Sequence, residues 1–368
     1  MAQNKQAANI ADLDTVLVTR FSAFGDVAMV VPVLYSACRC YPHIKFVLLT
    51  RPQMTSIFVD APANLEVRGV DVKEEYAGIK GLNRLVGELC ESYRPQLLVD
   101  LHNVLRTRII GLLLRLKGIP AVHLYKPRAQ QRELTRRNNK VLLPVESQIE
   151  RYGDTFARAG LPVTEHFSGL FGSRGAAPTE AFAAVTAPKP EGEIWLGIAP
   201  FAAHSGKIYP PELMEKVLAH IQADASAGRK VRVFLFGGGG EERTTLEAWE
   251  SLYPVATSLA GKRYGFGVEL ALLNHIDGMV AMDSANMHLA ALAGTPTVSV
   301  WGATHPYCGF LAWNQTEENT VQASLPCRPC SVFGNKPCYR GDMLCLKAIR
   351  PDTIYNALAR VAGISDKQ

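Results

Sequence analysis

Four short segments of this 368-residue chain carry side chains suited to group-transfer chemistry, and each follows a run of aliphatic residues. The first is Arg20-Phe-Ser-Ala-Phe-Gly25-Asp26, in which a glycine turn leaves a carboxylate at the mouth of a helix. A carboxylate there either caps the helix or takes a proton from an incoming hydroxyl. The second is Ala199-Pro-Phe-Ala202-Ala203-His204-Ser205-Gly206-Lys207. Its small residues leave backbone N–H groups accessible and Lys207 can meet a phosphate as a point charge, although a loop lysine is otherwise simply solvated. The third, Phe236-Gly237-Gly238-Gly239-Gly240-Glu241, lets a ligand approach the main chain at the start of a helix. Its spacing matches neither a dinucleotide fingerprint nor a P-loop. Glu241 suits a ribose hydroxyl or the dipole of its own helix. In the fourth, Asp283-Ser284-Ala285-Asn286-Met287-His288, the free N–H groups after Asp283 suit a diphosphate. Asp283, repelled by that charge, is expected to cap the helix or bond a sugar hydroxyl, and His288 to pack in the helix or touch the ligand.

These segments need a frame that holds them at strand ends. Apolar runs at 15–19, 45–50, 96–101 and 121–124 alternate with helical patterns at 27–39, 79–92 and 103–116. Continuous apolar strands belong in a parallel sheet covered on both faces. Pro32 makes the first helix start late or bend. Glycine, proline and small residues at 169–192 break the pattern and mark a linker. A second set follows, with strands at 194–198, 231–236, 278–282 and 297–301, and helices at 211–222, 241–252, 267–273 and 285–293. The pattern predicts an α/β protein of two doubly wound, Rossmann-like domains facing a cleft. The domains are expected at 1–175 and 176–350, with a terminal helix at 352–361 inside the last segment, 351–368.

Composition narrows the function classes. With 48% hydrophobic and 20% charged residues the chain falls in the globular range. Its longest apolar run, 27–37, is too short to cross a bilayer, and the polar first residues do not resemble a secretory signal, so a cytoplasmic enzyme is expected. The stretch 104–140 holds ten Lys or Arg against the single acid Glu133, which leaves the rest of a +5 chain net acidic. Such a basic field attracts anions, with Arg106, Arg128, Arg132 and Arg136 as candidate contacts, or is a solvated face. Aromatic residues do not alternate with these charges, so nucleic acid is not expected as a partner.

Taken in order, the Phe-Ser-Ala-Phe-Gly25-Asp26 turn, the Ser205-Gly-Lys207 loop, the Phe236-Gly-Gly loop and the Asp283-to-His288 helix start resemble glycosyltransferase family 9, which contains the lipopolysaccharide heptosyltransferases. The resemblance spans about residues 15–362. It implies a GT-B fold, with the acceptor on the first domain, the nucleotide-sugar on the second and the terminal helix crossing back to the first. It makes Asp26 the catalytic base and Lys207 a contact to the donor diphosphate. Gly237, Gly238 and Glu241 become nucleotide contacts, and Asp283, Ser284, Ala285 and His288 the loop that holds sugar and phosphates. Family members often carry Gly where Ala285 stands, and heptosyltransferases hydroxyl residues at Ala202 and Ala203. The implied reaction is an inverting transfer without a metal or other cofactor. Its partners would be a nucleotide-diphosphate sugar, foremost ADP-heptose, and an anionic glycolipid such as a lipopolysaccharide core, met at the inner face of the inner membrane. Two rivals remain. A nicotinamide oxidoreductase should show a fingerprint after its first strand, and a nucleotide-sugar-binding or regulatory protein with a degenerate site should show no turnover.

Cys327, Cys330, Cys338 and Cys345 follow a C-x2-C-x7-C-x6-C spacing. Four thiolates can close a structural zinc site. The competing expectation is reduced or redox-labile thiols packing a loop.

Overall fold

The computed structural model describes residues 13–172 and 175–364. Ser173 and Arg174 of the expected linker lie outside that range. The chain divides into two compact units: the residues up to Lys126 with Glu146–Ser168, and Pro127–Val145 with the residues from Gly169 onward. This differs from a single boundary at 175, because residues 127–145 belong with the second half.

In the first unit, β1 (Thr15–Thr19), β2 (Lys45–Thr50), β3 (Leu65–Gly69), β4 (Leu97–Asp100) and β5 (Ala121–His123) form a wholly parallel sheet of order β3-β2-β1-β4-β5. Central β1 is buried at every position, as its unbroken Thr-Val-Leu-Val-Thr run requires of a strand covered on both faces. The helices are α1 (Phe24–Ala28), α2 (Val30–Cys40), α3 (Gly78–Tyr93) and α4 (Leu105–Leu116). The single helix expected at 27–39 is thus two, joined at Met29. Pro32 lies in the first turn of α2, where its missing N–H has no partner to lose. In chain order α5 (Arg128–Thr135) comes next and belongs to the second unit, whereas α6 (Gln148–Arg158) returns to the first. A reciprocal cap starts α6: Ser147 Oγ accepts from Glu150 N at 3.1 Å and Glu150 Oε2 from Ser147 N at 2.8 Å.

The second unit carries β6 (Ile194–Ala199), α7 (Pro211–Ser226), β7 (Val231–Leu235), α8 (Glu241–Leu252), β8 (Ala256–Ser258), α9 (Phe266–Asn274), β9 (Gly278–Met282), α10 (Ala285–Ala293), β10 (Thr297–Trp301), β11 (Thr320–Gln322), α11 (Leu344–Lys347) and α12 (Pro351–Val361). Its parallel sheet runs β11-β10-β9-β6-β7-β8. The helix expected to cross back to the first domain is α12, and it is a member of the second unit. It buries Ile354, Leu358 and Ala359 and packs on α7, β9, β10 and β11. Gly278 admits the end of this helix: a Cβ there would lie 2.8 Å from Ala362 Cβ.

Strand order reverses between β1 and β4 in the first sheet and between β6 and β9 in the second. Crevices for ligands open at the carboxyl ends of such neighbouring strands. Asp26 follows β1, Lys207 follows β6 and Asp283 follows β9, so the three lie at the switch points.

Candidate active site

Around the first switch point, Asp26 is the third residue of α1 and keeps 19% of its side chain exposed. Its Oδ2 accepts from Ala23 N at 3.0 Å, which realises the helix-capping role, and from Arg20 Nη2 at 2.6 Å. Both contacts fall on one oxygen; among the described residues Oδ1 has none. Arg20 is buried, and its Nη1 donates to Leu101 O at 2.7 Å. Burial alone would lower the Arg20 pKa, but the Asp26 and Tyr152 charges outweigh it and hold it above the usual value. Tyr152 lies under the guanidinium, 5.8 Å from ring centroid to Cζ, and its hydroxyl donates to Asp26 O at 3.1 Å. Asp26 is therefore held through its main chain and one carboxylate oxygen. Arg20 and Tyr152 are absent from the sequence-based site; Arg20 stands six residues before Asp26 at the end of β1, a position that could have indicated it.

Next to it, at the end of β4, Asp100 is fully buried. Its Oδ1 accepts from Thr19 Oγ1 at 2.9 Å and from the N–H groups of His102 and Asn103 at 2.9 and 3.0 Å, and its Oδ2 lies 2.8 Å from His123 Nδ1. Burial pushes the Asp100 pKa up, yet the hydrogen bonds from His123, Asn103 and His102 hold it below the ordinary carboxylate range. Burial, then the Arg20 charge, lowers His102 to about 3, so its ring is neutral at physiological pH. This buried network fixes the loop after β4 beside the Asp26 turn.

At the second switch point, the Lys207 Nζ to Asp283 Oδ2 distance is 2.9 Å, with 16% and 4% of the two side chains exposed. Thr304 Oγ1 donates to the same Oδ2 at 2.7 Å. Asp283 thus does not take the N-cap position of α10, which is Ser284; a buried carboxylate needs a partner, and the lysine and threonine supply it. Ser284 is the N-cap residue of α10 but makes no side-chain cap. Its Oγ is buried, and among the described residues it has no hydrogen-bond partner. That orphaned hydroxyl, at the N-terminus of a nine-residue helix, suits an anion that would accept from it. Ala285 is the first residue of α10, and His288 is buried in the helix.

The glycine loop is arranged differently from expectation. Gly238 N donates to Glu242 Oε2 at 2.7 Å, so this N–H is satisfied within the loop. A Cβ on Gly237 would meet Leu246 Cδ1 at 2.5 Å, which makes this glycine a packing requirement. Glu241 is exposed at the start of α8. Of the basic residues, Arg106 lies in α4 of the first unit, whereas Arg128 and Arg132 in α5 and Arg136 after it belong to the second. The stretch expected to form one field is divided between the units.

All eight cysteines are free thiols. Among the described residues no group of three His, Cys, Asp or Glu side chains is arranged to hold a metal ion, Cys327, Cys330, Cys338 and Cys345 included. Burial raises Cys345 to about 11 and Cys308 to about 12, which favours the thiol form. The segment is anchored by a cation: Lys140 Nζ donates to Cys327 O and Pro329 O at 2.8 and 2.7 Å.

The sequence model of glycosyltransferase family 9 (heptosyltransferase) matches residues 98–337. The chain belongs to glycosyltransferase family 9. No curated protein matches it by sequence. Among solved structures it is similar to a family 9 glycosyltransferase from Veillonella parvula, at 16% identity and a TM-score of 0.71, over 96% of this chain and 99% of that one. It is similar to the E. coli heptosyltransferase WaaC with ADP at 16% identity and a TM-score of 0.65, over 94% of this chain and 99% of that one. WaaC is also matched in a structure with ADP-2-deoxy-2-fluoro heptose. The iron-containing dodecameric glycosyltransferase TibC from enterotoxigenic E. coli matches at 14% identity and a TM-score of 0.53, over 95% of this chain and 76% of that one. This family 9 chain is thus a glycosyltransferase of GT-B type. Among the described residues no helix is long and apolar enough to cross a membrane.

Proposed function

We propose that this glycosyltransferase moves a sugar, foremost heptose from ADP-heptose, to a hydroxyl of an anionic glycolipid such as a lipopolysaccharide core, with inversion at the anomeric carbon. The position of Asp26 carries this reading: at a sheet switch point, with Oδ2 held by Arg20 and Ala23 and Oδ1 without a contact among the described residues. Asp26 takes the acceptor hydroxyl proton, the oxygen attacks the anomeric carbon on the face opposite the nucleotide, and the diphosphate departs. Charge on the leaving group is met by Lys207, the Ser284 hydroxyl and the N-terminus of α10, fixed groups that act without a metal. When the diphosphate engages Lys207, Thr304 still holds Asp283, so the carboxylate is not left bare.

The acceptor reading is supported by α4, which exposes Leu105, Leu112 and Leu116 along with Arg108 and Arg115. Apolar residues flanked by arginines suit the boundary of an anionic bilayer, where such a glycolipid resides. A peripheral position at the inner face of a membrane follows from the same features.

Thermal unfolding of the full chain, scanned with ADP, ADP-heptose, UDP and UDP-glucose in turn, tests the donor. A ligand that binds the folded state raises the midpoint. Stabilisation by the adenosine compounds is expected; stabilisation by the uridine pair alone would overturn the ADP-heptose assignment.

A further inference from the structure

The cysteine-bearing segment is tied into the second unit by contacts of its own. Arg328, between Cys327 and Cys330, is buried and donates to five acceptors: Gly302 O at 2.5 Å, Trp301 O at 3.2 Å, Thr304 O at 2.9 Å, Ala323 O at 2.6 Å and Gln322 Oε1 at 3.0 Å. It therefore holds the loop that carries Thr304, the partner of Asp283. The N–H groups of Cys330 and Ser331 both donate to Ala303 O, at 3.0 and 3.3 Å, and Ala303 N donates to Gly206 O at 2.8 Å. Three backbones meet here with no room for side chains. A Cβ on Gly302 would lie 2.6 Å from Gly206 O, and one on Gly206 would lie 2.6 Å from Gly334 O.

Gly334 completes the contact. Its φ is +73°, and its N–H donates to the fully buried Ser331 Oγ at 2.9 Å. A Cβ added to it would lie 2.6 Å from Lys207 Cγ, 3.2 Å from Cδ and 3.3 Å from Cε. The Lys207 stem thus runs across the bare face of this glycine, and its ammonium is delivered to Asp283.

We propose that the segment 327–335 is a positioning element of the donor site, in which Gly334 sets the course of the Lys207 side chain and so the point at which its ammonium meets a nucleoside diphosphate. This rests on the reading of Lys207 as a diphosphate contact. Any side chain at 334 pushes the lysine stem aside, because the backbone behind it is fixed by Ser331 and Arg328.

The test is a calorimetric titration of ADP into the full chain and into Gly334→Ala, Gly334→Asn, Lys207→Ala and the double variant Gly334→Ala with Lys207→Ala. Displacing the stem by an overpacked methyl should weaken ADP binding about tenfold. Gly334→Asn should weaken it comparably, since asparagine tolerates positive φ while still carrying a Cβ. In the Lys207→Ala background the Cγ, Cδ and Cε atoms are gone, so Gly334→Ala should add no further loss. A loss of equal size in both backgrounds would show that backbone strain at 334 is responsible and would overturn the proposal, as would wild-type affinity in both Gly334 variants. Failure of the unaltered chain to bind ADP would overturn the diphosphate site itself, and is distinguishable because no variant is involved.

Discussion

The two sheets place opposite charges at equivalent topological points and treat them differently. At the switch point of the first unit the more accessible group is an anion, Asp26, partly exposed and anchored by a buried cation, Arg20. At that of the second it is a cation, Lys207, anchored by a buried anion, Asp283. In each pair the more deeply buried partner is bonded by further groups of its own unit: Leu101 O for Arg20, Thr304 for Asp283. A buried ion demands such satisfaction, whereas its partner stays the more accessible of the two. One architecture thus presents an anchored carboxylate on one unit and an anchored ammonium on the other, which the proposed function reads as proton acceptor and anion receptor.

The largest effect that sharpens this contrast is expected from Asp26→Asn. General-base assistance contributes about 10² to 10⁴ in rate, so sugar-transfer turnover should fall by at least the lower figure while calorimetric donor affinity stays nearly constant. Equal loss of both would erase the division of labour between the units. Arg20→Met comes next. It leaves the Asp26 carboxylate without its cation and Leu101 O without a donor, and breaking a largely buried pair costs about 3 kcal/mol, measured by urea unfolding; full stability would show that Arg20 is not an anchor. Lys207→Ala should raise the ADP dissociation constant about tenfold, the equivalent of one charge-assisted contact, with little change in acceptor KM. Parallel changes in both would deny that this lysine serves the donor alone.

The smallest effect concerns pH. Burial pushes Glu269 in α9 up to about 7. Its folded pKa therefore exceeds its unfolded one, so the stability it contributes is complete below the ordinary glutamate range and is lost as pH rises through about 7. Glu269→Gln should raise the melting temperature at pH 8 and leave it nearly unchanged at pH 4, in thermal scans at the two values; an identical shift at both would point to packing instead of titration.

The elements that were readable in the chain are those whose environment is uniform. The strands 15–19, 45–50, 278–282 and 297–301 and the helices 241–252 and 285–293 lie within the residues expected of them, because an interior strand or a helix over a sheet must be apolar in a regular pattern. The strands not anticipated, β3, β8 and β11, are all sheet edges. β3 alternates Glu66 and Arg68 with aliphatic residues and uses these charges for ion pairs with Lys45 and Glu88, while β8 and β11 are only three residues long. An edge needs neither length nor apolarity on both faces, so it leaves little periodic signal. Helix α5 is equally quiet: of Arg128–Thr135 only Leu134 is buried.

For the candidate site, residue type and the strand–loop–helix rhythm were enough to place Asp26, Lys207, Asp283 and Ser284 at the ends of interior strands, since switch-point loops follow apolar strands. The partners were decided by tertiary structure. That Arg20 holds Asp26, that Thr304 and Lys207 hold Asp283, and that Gly334 borders the lysine stem, more than a hundred residues along the chain, could not be inferred from spacing. Burial makes unpaired charge too costly to leave alone, but which of many available partners answers it depends on how the chain brings distant loops to the same strand ends.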